Sequence, residues 1–243
     1  MDIVDALSAR RGTTCVVGAG GKKTTMATLA RRLDRAVVTA TVRIPIFDPW
    51  VERVAVTDDP VSTVGTTQEW PLGVVPERER TDRYRGYDRA TVDAIADAHA
   101  PVLVKADGAR MREFKAPNDR EPQVPSKADT VIPVVSAHVV GEPLDEERVH
   151  RVDRVAALTG RDPGDRLRPT DVAAVLASEA GGRKDVPGGA TAVPLVNKVD
   201  DAALETAARE VATAVLDRAG TDVPRVVLAE MRSDEPLVGV VEG

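Results

Sequence analysis

The stretch TTCVVGAGGKKTTMATLARRL, residues 13–33, decides the fold. Residues 13–17 form a short β-branched run that stops at Gly18, which predicts a buried strand followed by a turn. From residue 22 to residue 33, apolar side chains recur at helical spacing and predict a helix. A strand that passes through a glycine-rich turn into a helix is typical of the first unit of an α/β nucleotide-binding fold.

The turn between this strand and this helix contains the residue types that a phosphate-binding loop needs. Glycines let backbone N–H groups approach an anion, and the start of a helix adds unpaired donors and a partial positive charge. A lysine can reach the outer phosphates, and a threonine hydroxyl can hold Mg²⁺. The residues predicted to bind nucleotide here are Gly18, Gly20, Gly21, Lys22, Lys23, Thr24 and Thr25. The alternative is a tight strand-to-helix turn with solvated lysines.

The spacing of the turn departs from the usual phosphate loop, which has four residues between its first glycine and Gly-Lys-Ser/Thr. If Gly21 and Lys22 form that final pair, Val16 occupies the first glycine position and Lys23 replaces the magnesium-binding hydroxyl. If Lys23 and Thr24 form the pair instead, Lys22 replaces the final glycine. Thr24 supplies the hydroxyl in this second frame, and we take it as the predicted magnesium ligand.

A second apolar run, residues 102–106, ends at Asp107 and Gly108. In phosphate-loop enzymes an acid at such a strand end holds Mg²⁺, usually through water. Thr24 and Asp107 are thus the predicted magnesium ligands, and Lys22 and Asp107 the predicted catalytic residues. An Asp-Gly turn without any such role is the alternative.

The box Asn197-Lys198-Val199-Asp200 follows a late predicted strand, where base recognition is expected. An NKxD aspartate accepts hydrogen bonds from guanine N1–H and N2–H₂, a donor pair that adenine lacks, and the lysine stem packs on the base. Asn197, Lys198 and Asp200 therefore predict a nucleotide site that prefers GTP to ATP. A simple loop cap is the alternative, and no Ser-Ala-Lys-like loop follows the last predicted strand.

The remaining pattern alternates strands and helices, which predicts a mostly parallel central sheet flanked by helices, a P-loop NTPase-like three-layer sandwich. We interpret residues 1–243 as a single P-loop-type nucleotide-binding domain because no Ser- or Pro-rich linker divides them. Further strands are predicted at 36–41, 102–106, 130–135, 192–196 and 225–228, with short ones near Val54 and Val74. Further helices are predicted at 88–99, 146–159, 170–178 and 201–219.

Composition excludes several classes of protein. Of the 243 residues 30% are charged and 42% hydrophobic, which excludes disorder and coiled coil. A net charge of −6 argues against non-specific nucleic-acid binding. The N-terminus lacks a secretory signal pattern and no apolar run approaches the roughly 20 residues of a membrane helix, so we expect a cytoplasmic protein without membrane contact. Cys15 is the one cysteine, which excludes an intrachain disulfide or a Cys-cluster zinc site.

Lysines concentrate in the predicted site. The chain has 7 lysines and 26 arginines, and the five lysines in the candidate segments are Lys22, Lys23, Lys105, Lys115 and Lys198. We therefore predict a locally positive pocket in an acidic chain. Lys115, together with Arg112 and Glu121, lies in a Pro-rich segment that could sense the third phosphate or bind substrate. A rigid loop with surface charges is equally compatible.

The three histidines carry weaker predictions. His150 falls within the predicted helix 146–159, where a structural hydrogen-bonding role is favoured over catalysis. His99 and His138 have no partner that the sequence reveals.

With these residues placed, the chain resembles the YqeC family of selenium-cofactor biosynthesis proteins. The resemblance runs from about residue 4 to residue 200 and rests on six segments: VVGAGGKKTT at 16–25, TATVRIP at 39–45, KADGAR at 105–110, KAPNDREPQVP at 115–125, VHR at 149–151 and NKVD at 197–200. It implies a nucleotide-dependent accessory role in making or inserting a labile selenium-containing cofactor. A molybdenum hydroxylase or its maturation factors are the partners that it implies.

Two residues depart from the family pattern. Lys23 replaces the first loop threonine and Lys105 replaces the glutamate before Ala-Asp-Gly, and both changes bear on metal binding and hydrolysis. Three functions stay open: GTP-preferring binding with slow hydrolysis, an ATP-dependent kinase of a small metabolite, and a non-catalytic nucleotide-binding cofactor chaperone. Lys23 and Lys105 favour the third.

Overall fold

The computed structural model describes residues 1–243. Its central sheet contains β1 Thr13–Gly18, β2 Val37–Ala40, β4 Arg53–Val56, β5 Leu72–Val75, β7 Val102–Lys105, β9 Thr130–Ser136, β11 Thr191–Ala192, β12 Leu195–Asn197, β13 Arg225–Ala229 and β14 Leu237–Glu242. Two short strand pairs lie outside it: β3 Ile44–Pro45 with β6 Arg83–Tyr84, and β8 Phe114–Lys115 with β10 Val149–His150. The helices are α1 Ile3–Ala6, α2 Lys22–Arg32, α3 Pro60–Thr66, α4 Arg89–Ala98, α5 Val152–Thr159, α6 Pro169–Ala177 and α7 Ala202–Ala219.

The sheet has ten strands in the order β14-β13-β12-β9-β1-β7-β2-β5-β4, with β11 paired to β9 beside this path. All its pairings are parallel except that of β13 with β14. Helices cover both faces, so the strands β2, β7 and β9 are buried along their whole length. The carboxyl ends of β12, β9, β1, β7 and β2 therefore meet at one edge, where ligands bind in open α/β sheets. This architecture confirms the predicted α/β fold class.

Alternating residues of the strands face two different layers of core. Val134 and Val227 belong to a cluster that packs against α1 and α2, whereas Val135 and Val226 belong to a cluster that packs against α6 and α7. A third cluster lies between the sheet and α4 and includes Ile95. Because the chain has few aromatic residues, these cores consist largely of Val, Ala, Leu and Ile.

Most predicted elements are present with small shifts at their ends. The helix predicted at 22–33 is α2, and the short strands expected near Val54 and Val74 are β4 and β5. The strand predicted at 192–196 is divided into β11 and β12, because Pro194 has no N–H to donate to the ladder. No helix combines the length and the apolar composition that a membrane span requires.

Two predictions of secondary structure were wrong. The helix expected at 146–159 begins only at Val152, because Arg151 adopts a left-handed conformation with φ of 70° and the residues before it pair with β8. His150 therefore lies on a strand and not on a helix. The strand at 225–229 is not the last, since β14 follows it and pairs antiparallel with it.

Candidate functional site

A cleft of about 1010 Å³ lies at the carboxyl edge of the sheet. Its walls come from the β1–α2 turn, the segment that follows β7, the Asn197–Asp200 box, the β3–β6 pair and the residues after β13. The cleft thus joins the two motifs that the sequence singled out as phosphate site and base site.

The β1–α2 turn packs too closely for side chains at its glycines. Gly20 and Gly21 have φ of 84° and 135°, and Gly18 has φ of 89°. A Cβ on Gly20 would overlap the backbone nitrogen of Ser136, and one on Gly21 would overlap the side-chain nitrogen of Asn197. Glycine is needed here for both backbone conformation and space.

The start of α2 leaves its amides without partners. No side chain caps this helix, whereas Asp2, Asp59, Asp88 and Asp201 cap α1, α3, α4 and α7. The backbone N–H groups of residues 21–24 donate no hydrogen bond within the protein. Four free donors at the positive end of a helix are suited to an anion.

Lys22 points back into the turn. Its Nζ donates to the carbonyl oxygen of Gly18 and lies 2.9 Å from Oδ1 of Asp107. Gly18 N–H donates to the other carboxylate oxygen at 2.8 Å. Burial alone would raise the pKa of Asp107, but the ammonium groups of Lys22 and Lys115 outweigh it and hold the pKa below its usual range.

Asp107 belongs to a series of paired charges that is buried at one end and partly exposed at the other, and which we call the ion chain: Lys22, Asp107, Lys115, Glu121 and Arg151. Lys115 Nζ lies 2.8 Å from Asp107 and 3.0 Å from Glu121, and Arg151 lies 2.8 Å from Glu121. The Lys115 side chain is 1% exposed and does not line the cleft. Lys115 therefore pairs with Asp107 and Glu121 in this structure, and its contact with nucleotide or substrate stays a prediction.

The residues predicted to hold Mg²⁺ do not fit a resident ion. Asp107 is 1% exposed and is paired with the ammonium groups of Lys22 and Lys115. A cation would have to displace both groups to reach the carboxylate. Its Oδ1 accepts no well-aligned hydrogen bond, although the ammonium nitrogen of Lys22 lies 2.9 Å away. No cluster of three or more His, Cys, Asp or Glu side chains provides other ligands. Thr24 lines the cleft and Asp107 does not, so we derive no step through magnesium.

Asn197 joins the Asn197–Asp200 box to the β1–α2 turn. Its Nδ2 donates to Gly20 O at 2.9 Å, and its Oδ1 accepts from Met231 N–H at 3.1 Å. The side chain is buried, with both ends of its amide engaged. Asn197 therefore positions the two loops relative to each other.

Lys198 and Asp200 lie in the wall of the cleft. Lys198 Nζ contacts both carboxylate oxygens of Glu113 at 2.6 and 2.7 Å. Asp200 Oδ2 is 2.9 Å from His138 Nε2, and both side chains are about two-fifths exposed. His138 thus has a partner 62 residues away, which the sequence did not reveal.

The other predicted phosphate residues differ in exposure. Lys23 is exposed at the cleft, whereas Thr25 is buried and its hydroxyl bonds to Gly21 O at 3.2 Å. Lys105 is buried at the cleft wall, where Nζ donates to Arg43 O at 2.7 Å. Burial lowers the pKa of Lys105 to about 7, and the nearby charge of Lys22 adds to this effect.

The cleft is strongly basic. Nine cationic residues line it (Lys22, Lys23, Arg43, Arg83, Lys105, Arg110, Arg112, Lys198 and Arg232) against four acidic ones (Asp82, Glu113, Asp200 and Glu230). Sequence patterns did not single out Arg83 or Arg232, and gave Arg43 and Arg110 no role of their own, because these arginines come from segments far apart in the chain. The locally positive pocket predicted for this acidic protein is present.

Comparison with known proteins identifies the family. A family model described as "YqeC protein" matches residues 14–153, more than half of the chain. The chain belongs to the YqeC family. It is also 29% identical over 208 residues to "Uncharacterized protein YqeC" of Escherichia coli (strain K12), which covers 81% of this chain and 80% of that protein. The matched YqeC segment includes the whole ion chain, whereas the Asn197–Asp200 box lies beyond it.

Proposed function

We propose that this YqeC protein binds a nucleoside triphosphate, GTP in preference to ATP, and hydrolyses it slowly as an accessory factor in maturation of a selenium-containing cofactor of molybdenum hydroxylases. The observation that carries the proposal is the 2.9 Å hydrogen bond from Asn197 to Gly20 O. This bond holds the predicted base box and the predicted phosphate loop at one cleft, which supports the proposal. The selenium role rests on the resemblance to the YqeC family.

The phosphate half of the proposal rests on the free amides at the start of α2. These donors and the helix dipole favour an anion, and Lys22 and Lys23 stand at the same helix start. Lys22 would have to leave Gly18 O to reach a phosphate. Lys115 would then remain on Asp107, 2.8 Å away, so that the carboxylate keeps a counter-charge.

The base half rests on the free oxygen of Asp200. His138 occupies Oδ2, and Oδ1 has no hydrogen-bond partner within the protein. Guanine offers two adjacent donors to a carboxylate, and adenine does not. A donor left unpaired on closing the site is costly, which favours guanine over adenine.

Hydrolysis would proceed through positioning and charge stabilisation. Phosphoryl transfer needs little covalent chemistry from the protein, and the lysines at the loop would stabilise charge on the transferred group. Because Asp107 is neutralised by Lys22 and Lys115, no carboxylate in the ion chain is free to act as a base. We therefore expect slow turnover. The same neutralisation supports the second candidate, a nucleotide-binding cofactor chaperone without turnover.

The test is binding and turnover of GTP and ATP by the native protein and by Asp200→Ala. We expect GTP to bind about tenfold or more tightly than ATP, and the variant to lose this preference. Asp217→Ala is the matched control, because Asp217 is an exposed acid on α7 that makes no ion pair. A preference for ATP would contradict the guanine proposal, and tight GTP binding without turnover would favour the chaperone.

A further inference from the structure

The sheet leaves a second region of the cleft without an assigned ligand. In the strand order, β12 lies two strands to one side of β1, and β2 lies two strands to the other. At about 4.8 Å per strand, each lies roughly 10 Å from the phosphate loop. The base box follows β12, so the base and the region beyond β2 lie on opposite sides of that loop.

Three basic side chains line this region of the cleft: Arg43, Arg83 and Lys105. We call them the β2-side wall. Arg43 follows β2, Arg83 lies on β6 and Lys105 ends β7, and all three line the cleft. The 2.7 Å hydrogen bond from Lys105 Nζ to Arg43 O holds two of them together. Elements distant in sequence thus place three basic side chains on one side of the phosphate loop.

Lys105 lacks a counter-charge. The residue is 7% exposed, and no carboxylate lies within ion-pair distance of its ammonium group. Removing a charge from water without a partner is costly, and a bound anion would lower that cost. The exposed part of the wall faces the cleft, which is where such an anion would enter.

Both arginines pair with acidic side chains, and a bound ligand would take the place of these partners. Arg43 pairs with Glu79 while 61% exposed, and Arg83 lies 3.4 Å from Asp82 while 43% exposed. The Arg83–Asp82 pair is solvent-exposed and contributes little, so a ligand can replace Asp82. Arg43 binds Glu79 through two hydrogen bonds, and a ligand would have to replace both. Arginine forks bind phosphate oxygens in pairs, which makes a phosphate group the best match for this wall.

The size of the cleft also allows two ligands. Its volume of about 1010 Å³ is at the top of the range of roughly 300–1,000 Å³ for sites that hold a single small molecule. A nucleotide that reaches from the base box to the phosphate loop would leave the β2-side wall uncovered.

We propose that the β2-side wall binds a second, phosphorylated small molecule next to the terminal phosphate of the nucleotide. The cleft then holds two anionic ligands at the same time, one on each side of the phosphate loop. This inference rests on the proposed function for the first ligand and adds the chemical class of the second.

The experiment titrates inorganic pyrophosphate by calorimetry into protein saturated with GMPPNP, a GTP analogue that is not hydrolysed. We expect pyrophosphate to bind the saturated protein. Lys105→Met and Arg83→Gln are expected to weaken this binding about tenfold or more, and Arg83→Gln is expected to change GMPPNP affinity less than about threefold. Arg53→Gln is the control, because Arg53 lies on β4 outside the cleft and pairs with exposed Glu69. Arg83→Gln changes an exposed residue, so its result does not depend on repacking at buried Lys105.

Failure of the inference and failure of the proposed function give different results. If pyrophosphate only competes with GMPPNP and never binds the saturated protein, the cleft has one anion site and the inference is overturned. If GMPPNP does not bind, pyrophosphate is titrated into the free protein. Weakening by Lys105→Met and Arg83→Gln then supports the anion site at the wall, whereas an unchanged affinity in both overturns it.

Discussion

Gly20 and Gly141 have the same φ of 84° but different surroundings. A Cβ at Gly20 would overlap the backbone of Ser136, whereas a Cβ at Gly141 meets nothing within 4 Å. We expect Gly141→Ala to lower the free energy of unfolding by about 1–2 kcal/mol, the cost of a left-handed alanine. Gly20→Ala is expected to cost at least about 1 kcal/mol more, because a backbone atom cannot move aside. Urea unfolding measures both values.

The same pair separates strain from function. Gly20→Ala should also abolish nucleotide binding, since it displaces the loop to which Asn197 is bonded. Gly141→Ala should bind nucleotide as the native protein does. Equal losses of stability in the two variants would show that the contact with Ser136 is unimportant.

His150 makes stability depend on pH. Burial lowers the pKa of His150 to about 4, and the charges of Arg151 and Lys115 add to the effect. The unfolded side chain takes up its proton near pH 6.5, so between about pH 6.5 and 4 the unfolded state binds more protons. The free energy of unfolding should therefore fall as pH falls through this window. Urea unfolding at pH 4.5 and pH 7 tests this.

We expect His150→Gln to reduce that fall by about 1 kcal/mol, after allowance for the solvent that reaches the half-buried ring. Arg218→Gln provides the control, because it removes an exposed charge that does not titrate between these pH values. An identical pH slope in His150→Gln and the native protein would contradict the assignment.

At the scale of elements, the ion chain connects parts that the sheet does not connect. Asp107 follows β7, Lys115 lies on β8, Glu121 lies in the segment before β9 and Arg151 immediately precedes α5. The β8–β10 pair brings Lys115 and His150 opposite each other, which sets Arg151 next to Glu121. A continuous series of charged contacts therefore runs from the β1–α2 turn to the start of α5.

We expect Lys115→Met to lower the free energy of unfolding by about 3 kcal/mol, because it removes one of the two cationic partners of buried Asp107 and one of those of partly buried Glu121. Lys127→Met is the matched control, since Lys127 pairs with Asp97 at the surface, where both side chains are about half exposed. Its expected cost is about 0–1 kcal/mol. Thermal or urea unfolding measures the difference, and similar costs for the two lysines would show that the ion chain contributes little.

Sequence patterns predicted elements well where local signals were sufficient. The apolar spacing of α2 and the β-branched run of β1 predict their own structures, because each depends on neighbours within a few residues. β10 has only two residues and exists through its pairing with Phe114 and Lys115. The pattern around it favoured a helix, and the long-range pairing prevailed over local propensity.

At the scale of the whole molecule, charge is unevenly distributed. The chain has a net charge of −6, yet cationic residues outnumber acidic ones in the cleft by nine to four. Such a cleft attracts anions from a distance, and this attraction is screened as the Debye length shortens with salt.

We expect the affinity for GMPPNP to weaken several-fold between 50 and 300 mM KCl, as the roughly 10 Å Debye length at 0.1 M implies. Guanosine is the control ligand, because it offers the same base without phosphates, and its affinity should change little. Calorimetry or fluorescence titration gives both. If salt weakened guanosine as much as GMPPNP, the basic cleft would not be the cause.

Local sequence was sufficient to predict the glycine-rich turn after β1, the alternation of strands and helices, and the position of the Asn197–Asp200 box after a strand. These features depend on backbone sterics and on side-chain periodicity over a few residues. The partners of the charges were decided only by the tertiary structure: Lys115 with Asp107, His138 with Asp200, and Arg83 beside Lys105 in one wall. Each of these joins separate elements at the carboxyl edge of the sheet. The physical reason is that the carboxyl ends of parallel strands lie at one edge of the sheet, although the crossover connections separate these strands by many residues in the sequence.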